Sequence, residues 1–199
     1  EMFGGLHPSP FGNRVYARGI VRLFDTVWGA DTDLKAAPVS HAPLPSPIDP
    51  LNYEHGHYVE LSEAHLKSGW EIVESWESTD DTSTRKRFIH IPTLEALEPD
   101  AELELAFTGT AVGLLMTVGP DVGVLEYAID GGEAKRVDPF TEWSDRLHIP
   151  WALMLETELE PGPHRLVLRT TEGKNDRSVG NAQRIVRFLV NGPRGPQAD

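Results

Sequence analysis

Val124-Leu125-Glu126-Tyr127-Ala128-Ile129-Asp130-Gly131-Gly132 is the stretch that decides the fold. Leu125, Tyr127 and Ile129 alternate with Val124, Glu126 and Ala128, the period of a half-buried strand. Asp130-Gly131-Gly132 follows at once. It is a hairpin signal, because glycine tolerates positive φ where a tight turn demands it. The same two-residue period recurs on either side. Leu103, Leu105 and Phe107 alternate with Glu102, Glu104 and Ala106. Leu166 and Leu168 alternate with Arg165, Val167 and Arg169, and Val186, Phe188 and Val190 with Arg187 and Leu189. Trp70, Ile72 and Trp76 are expected on one face of a further strand. More strands are expected near 58–63, 86–91, 111–118 and 133–138.

Glu98-Pro99-Asp100, Gly119-Pro120-Asp121 and Glu160-Pro161-Gly162-Pro163 punctuate these segments. Many short strands separated by Gly/Pro turns predict a mainly β chain, a jelly-roll-like antiparallel β-sandwich, over 53–192. Ahead of it, Tyr16, Ile20, Leu23 and Val27 recur at helical spacing, with Arg14, Arg18 and Arg22 on another, solvated face. Gly29 is expected to cap that helix. Residues 1–30 are therefore one segment. Residues 31–52 hold Pro38, Pro43, Pro45, Pro47 and Pro50 and read as a stiff linker. Residues 193–199 read as a frayed tail.

Composition narrows the classes of function. The chain has 199 residues, of which 39% are hydrophobic and 25% charged, values ordinary for one folded domain or a domain with an appendage. No apolar run approaches the roughly 18 residues of a membrane helix. The absence of cysteine excludes disulfides, thiolate metal sites and cysteine nucleophiles. Lys and Arg number 18 against 31 Asp and Glu, a net charge of −13 that disfavours nucleic acid and anionic membrane surfaces as partners.

Chemistry concentrates in Gly4-Gly5-Leu6-His7-Pro8-Ser9-Pro10-Phe11-Gly12-Asn13. A histidine at a loop-to-helix junction can face an open cleft, and an imidazole with an ordinary pKa of about 6.5 can take and return a proton near neutrality. The proline stiffens the turn. The block resembles the last sequence block of SGNH/GDSL-type ester hydrolases. There a D-x-x-H-P segment, a glycine and a helix close the catalytic domain, and the histidine is general base to a serine. The resemblance makes His7 that base, Pro8 the proline, and Gly12 with an Asn13–Trp28 helix the sequel. The family's aspartate position is Gly4, so a backbone carbonyl would have to orient the ring, as a dyad. No Gly-Asp-Ser-like block is present; the nucleophile and oxyanion-hole blocks are expected upstream of Glu1 or on a separate chain. The helix would then belong to an incomplete SGNH α/β domain.

A second resemblance rests on Gly109-Thr110-Ala111-Val112-Gly113-Leu114, Gly119-Pro120-Asp121-Val122-Gly123, Trp143-Ser144, Leu147-His148-Ile149-Pro150 and Pro163-His164-Arg165-Leu166. It is similar to the jelly-roll module attached to bacterial SGNH-type carbohydrate esterases. Together the two imply the C-terminal portion of a serine ester hydrolase acting on acylated, chiefly O-acetylated, carbohydrate. They imply an acylated glycan substrate, the remainder of the SGNH domain as partner, no cofactor, and a secreted or periplasmic location. The alternative is a non-catalytic carbohydrate-binding or structural module.

Trp143 and Trp151 are the candidate substrate-binding residues, since a flat indole matches the apolar face of a pyranose; both are expected in loop-like surroundings. Trp70 and Trp76 are expected in the core. No metal site is expected. His55-Gly56-His57 lacks a third ligand, and Asp80-Asp81 reads as a solvated loop. His41, His65, His90, His148 and His164 are expected to be hydrogen-bonded or superficial. Arg85-Lys86-Arg87 is expected at a solvated strand edge.

Overall fold

A computed structural model describes residues 2–3, 7–28 and 43–193. The chain divides into two compact units, Glu1–Ser46 and Pro47–Asp199. Gly4, the expected cap Gly29, most of the proline segment, His41 and the last six residues lie outside the described residues.

In the first unit, β1 (Met2–Phe3) pairs antiparallel with β2 (His7–Pro8), with Phe3 opposite His7. Helix α1 runs Pro10–Trp28. It begins three residues before Asn13 because Ser9 caps it: the Ser9 Oγ accepts the Gly12 N–H at 3.1 Å. Pro10 opens the first turn, where its missing N–H leaves nothing unsatisfied. Tyr16, Ile20, Leu23 and Val27 keep more than half of their surface exposed. Phe24 and Trp28 stack at 4.6 Å.

The second unit is built of β3 (Gly56–Val59), β4 (Ala64–Ser68), β5 (Glu71–Trp76), β6 (Ser83–Thr84), β7 (Ile91–Ala96), β8 (Glu102–Gly109) and β9 (Ala111–Val118). β10 (Gly123–Ile129), β11 (Lys135–Val137), β12 (Leu147–Glu156), β13 (Gly162–Lys174) and β14 (Gln183–Asn191) complete it. A small sheet has the order β11-β10-β13-β8-β4. A large one runs β5-β7-β14-β9-β12-β6, with β3 also on β14. The named pairings are antiparallel, apart from β6 on β12.

The core lies between the sheets. Leu103, Leu105, Leu125, Leu166 and Leu168 meet Leu94, Val112, Leu114, Met116, Ile185 and Phe188, all fully buried. Each such side chain contributes about 1.5–3 kcal/mol through apolar burial, so the alternating runs supply the driving force for a mainly β sandwich. The β10–β11 turn forms at Asp130 and Gly131, with φ of 53° and 72°. The Gly132 N–H donates to the Ile129 carbonyl at 2.8 Å. Two positive φ values in sequence give the turn whose twist matches the strands it joins.

Three local expectations are corrected. Trp70 is in the core and Trp76 is buried, but Ile72 is 37% exposed. A bulge between Val73 and Trp76 breaks the two-residue parity: Ile72 stands opposite Leu94 while Trp76 comes opposite Ile91 and so turns to the other face. The segment 86–91 is not a strand: Lys86–Phe88 is a 3-10 turn, and β7 starts only at Ile91. Trp151 is not in a loop but inside the ten-residue β12.

Candidate functional site

His7 is exposed on β2, two residues ahead of the capping Ser9. The helix and its cap thus fix the chain direction immediately after the ring. Gly4, where the esterase pattern has aspartate, lies outside the described residues.

Trp143 and Trp151 come together. Their ring centroids are 6.4 Å apart, the planes inclined at 48°, and they are 38% and 37% exposed. Trp151 lies in register with Met116, on the core side of the large sheet. Beyond β12 there is only the two-residue β6, so the indole emerges at the sandwich margin instead of being covered. Trp143 stands on the β11–β12 loop. That loop is tied internally by the Thr141 N–H donating to the Ser144 Oγ at 3.0 Å and the Trp143 N–H donating to the Thr141 Oγ1 at 3.2 Å. Arg177 ties it from outside, donating to the Asp145 carboxylate at 2.8 Å and lying 5.2 Å over the Phe140 ring. The Arg177 hydrogen bond holds the Asp145 carboxyl below the usual carboxylate range. Two tilted, partly exposed indoles thus stand together on a braced margin.

A polar cluster that the sequence reading did not assemble occupies the outer face of the large sheet. Arg184 pairs bidentately with Asp121 at 2.7 and 2.8 Å, donates to Glu95 at 2.8 Å and lies 5.4 Å over the Trp76 ring. The Trp76 Nε1–H donates to Glu95 at 3.0 Å. Burial would raise the Asp121 carboxyl, but the Arg184 hydrogen bonds and charge outweigh it and hold that group low. Next to this, the His148 ring packs edge-on to Trp76 at 5.6 Å and meets Asp80 through Nε2 at 2.9 Å. Its Nδ1 lies against the Gly119 backbone and has no hydrogen-bond partner. Asp80 also accepts from Ser78 at 2.7 Å and Thr82 at 2.8 Å. These bonds, with that of His148, overcome the opposing effect of burial and hold its carboxyl far below the usual range. A small cavity of about 110 Å³ lined by Ser83, Thr84, Arg85, Leu147, His148 and Ile149 adjoins the cluster. The charges of Arg184, Asp121 and Glu95 are paired, so the cluster acts as a clamp. Its one sequence signal is Arg184 beside the apolar run Ile185-Val186. Among the described residues no group of three or more His, Cys, Asp or Glu could hold a metal ion.

No family model and no curated protein matches the chain. Among solved structures, a two-domain esterase (CEX) active on acetylated mannans matches with a TM-score of 0.62 and 20% identity, over 96% of this chain and 49% of that one. The same kind of esterase co-crystallized with mannopentaose gives 0.57 and 20% identity over the same shares. A family two carbohydrate esterase from Cellvibrio japonicus overlaps more loosely, at 0.42 and 12% identity, over 72% of this chain and 36% of that one. The chain spans about half the length of the first of these and shares its fold with that part.

Proposed function

We propose that the chain is the C-terminal portion of an SGNH/GDSL-type carbohydrate esterase that removes acyl, chiefly acetyl, groups from a glycan outside the cytoplasm. The observation that carries this reading is the fold match, which runs over 96% of the chain and takes in about half of a two-domain esterase. The order of the sequence blocks agrees with it: a His-Pro turn, a helix, a proline-rich segment, then a sandwich. His7 is the general base in this reading, and the serine nucleophile comes from a segment outside Glu1–Asp199. The apolar side chains of α1 left exposed are what a helix shows when the domain it completes is absent. Trp143 and Trp151 contact the glycan. Residues 1–30 close the catalytic domain, 31–52 link, and 53–192 form the accessory module.

Hydrolysis of a chromogenic acetate ester tests the role of His7. In the full-length protein, His7→Ala should lower kcat by roughly 10²- to 10⁴-fold, the range of a lost general base. The 199-residue chain alone should show no turnover above its own His7→Ala control. An unaffected full-length variant would refute the assignment of His7, and turnover by the chain alone would refute its incompleteness.

The Trp143–Trp151 pair also supports a second reading, a non-catalytic carbohydrate-binding module. Affinity electrophoresis in acetylated mannan separates the two. Retardation that is lost in Trp143→Ala, with an unaltered His7→Ala esterase, favours the binding module alone.

A further inference from the structure

The outer face of the large sheet carries a groove that neither reading uses. Tyr58 of β3 lies opposite Leu189 of β14, Leu189 opposite Gly113 of β9, and Gly113 opposite Met154 of β12. At about 4.8 Å between strands, this row is roughly 14 Å long. The Met154 thioether lies down over Gly113, where any side chain would collide with it, so the floor stays flat. Tyr53 and Tyr58 stand over the floor, 54% and 64% exposed. The cavity they enclose measures about 420 Å³ and reaches His57 and Asn191.

Three features describe its ligand. First, among the described residues no Asp, Glu, Lys or Arg lines the cavity, although the chain carries a net charge of −13; the groove therefore matches an uncharged molecule. Second, two exposed phenol rings over an aliphatic floor match a ligand with flat apolar faces. Third, the polar residues His57 and Asn191 sit at one end. Asn191 is only 6% exposed and donates its amide N–H groups to the Asn52 carbonyl at 3.1 Å and the Thr110 hydroxyl at 2.9 Å, while its Oδ1 has no partner. That oxygen is itself covered, so what this end offers a ligand is the polar rim of Asn191 and His57. Apolar faces, a rim of hydroxyls and no charge are together the chemistry of a neutral saccharide.

We propose that this groove is a second binding site, for a short stretch of neutral oligosaccharide. It is separate from the Trp143–Trp151 pair. On β12, Trp151 and Met154 are three residues apart and so point to opposite faces of the sheet. The proposal rests on the glycan reading above only for its choice of probes.

The test is a titration of the isotopically labelled 199-residue chain with mannopentaose and cellohexaose, followed by amide NMR. Tri-galacturonate serves as the charged control. At least one neutral probe should shift the amides of Tyr58, Gly113 and Leu189, and this should persist in Trp143→Ala. Tyr58→Ala should weaken binding at the groove roughly tenfold, the effect of one lost stacking ring, and Tyr58→Phe should restore it. Tyr58 is superficial, and an unchanged spectrum elsewhere checks that the variant folds. Shifts confined to Trp143 and Trp151, or groove shifts that Tyr58→Ala leaves intact, overturn the second site and leave the first reading standing. Groove shifts without shifts at the indoles uphold the second site and remove the Trp pair from the first reading. Silence at the groove with both neutral probes, or equal binding of tri-galacturonate, overturns the proposal.

Discussion

Two aspartate–histidine pairs brace the two sheets under opposite conditions. On the large sheet, the His148 side chain is 1% exposed; one ring nitrogen meets Asp80 and the other has no partner. On the small sheet, His164 bridges the β10–β11 turn and the β12–β13 loop. Its Nδ1 meets the Asp130 carboxylate and its Nε2 the Glu160 carbonyl, both at 2.7 Å. A ring facing two acceptors is best served by two N–H groups. The Asp130 hydrogen bond, then the Glu160 carbonyl, accordingly raise the His164 pKa above its ordinary value. The first pair belongs to a clamp that includes Trp76, Glu95, Asp121 and Arg184, whereas the second, with His164 11% and Asp130 50% exposed, fastens one turn. The same two residue types thus make different bonds in the two places, and the neighbouring acceptors make the difference.

The heaviest blow to the buried side of this contrast is Arg184→Met. It strands Asp121 and Glu95 without their cation, and loss of one partner of a buried pair costs about 3–5 kcal/mol. Urea denaturation should show it, and a loss below about 1 kcal/mol would mean the cluster is no clamp.

Gly119→Ala comes next. A methyl there drives into the His148 ring, an overpacking worth about 1–3 kcal/mol. The His148 ring protons should shift in NMR while those of His164 stay put. Movement of both would erase the distinction between the pairs.

A smaller, pH-dependent effect is expected of His164→Gln. A raised folded pKa means the bridge contributes fully below the unfolded value of about 6.5 and is lost as pH rises through the folded value. The melting-temperature gap between wild type and variant should therefore narrow as pH rises, and a constant gap would refute the charge role. Asp80 has the opposite sign, its support being present above about 3.9 and lost as pH falls through its folded value.

Asp81→Asn should be nearly silent, within about 0.5 kcal/mol, because the neighbouring Asp80, and not Asp81, holds His148. An effect as large as that of Asp80→Asn would show that the loop, not the pair, matters.

Legibility in the sequence followed the regularity of the backbone. Over Leu103-to-Phe107, Leu125-to-Ile129 and Leu166-to-Leu168, strands β8, β10 and β13 alternate and pair in unbroken register, and these runs could be read directly. β12 was hidden by Pro150, which looks like a breaker. It fits because β6 reaches only His148, and past that point β12 has a bare side where a missing N–H leaves no ladder bond unmade. Trp76 was misplaced because a bulge changes parity without changing composition. Trp143 and Trp151 could each be named as candidate sugar-stacking residues. Their pairing could not, because it depends on a loop held in place by Arg177 from a distant strand connection. The Asp80–His148 and Arg184 contacts were invisible for the same reason: they join residues 63 to 89 positions apart.

The shortness of β6 has a consequence for the chain in crowded solution. On β6 itself a stray extended peptide would find only Ser83 and Thr84, then a tight 3-10 turn and the run Arg85-Lys86-Arg87, whose cations would repel a second copy of the same margin. Past His148 the border passes to β12, whose bare side from Ile149 to Glu156 is interrupted for pairing by Pro150, a residue with no N–H to offer. Short rungs, clustered cations and one proline are thus what this margin sets against fibrous aggregation in place of a covering helix.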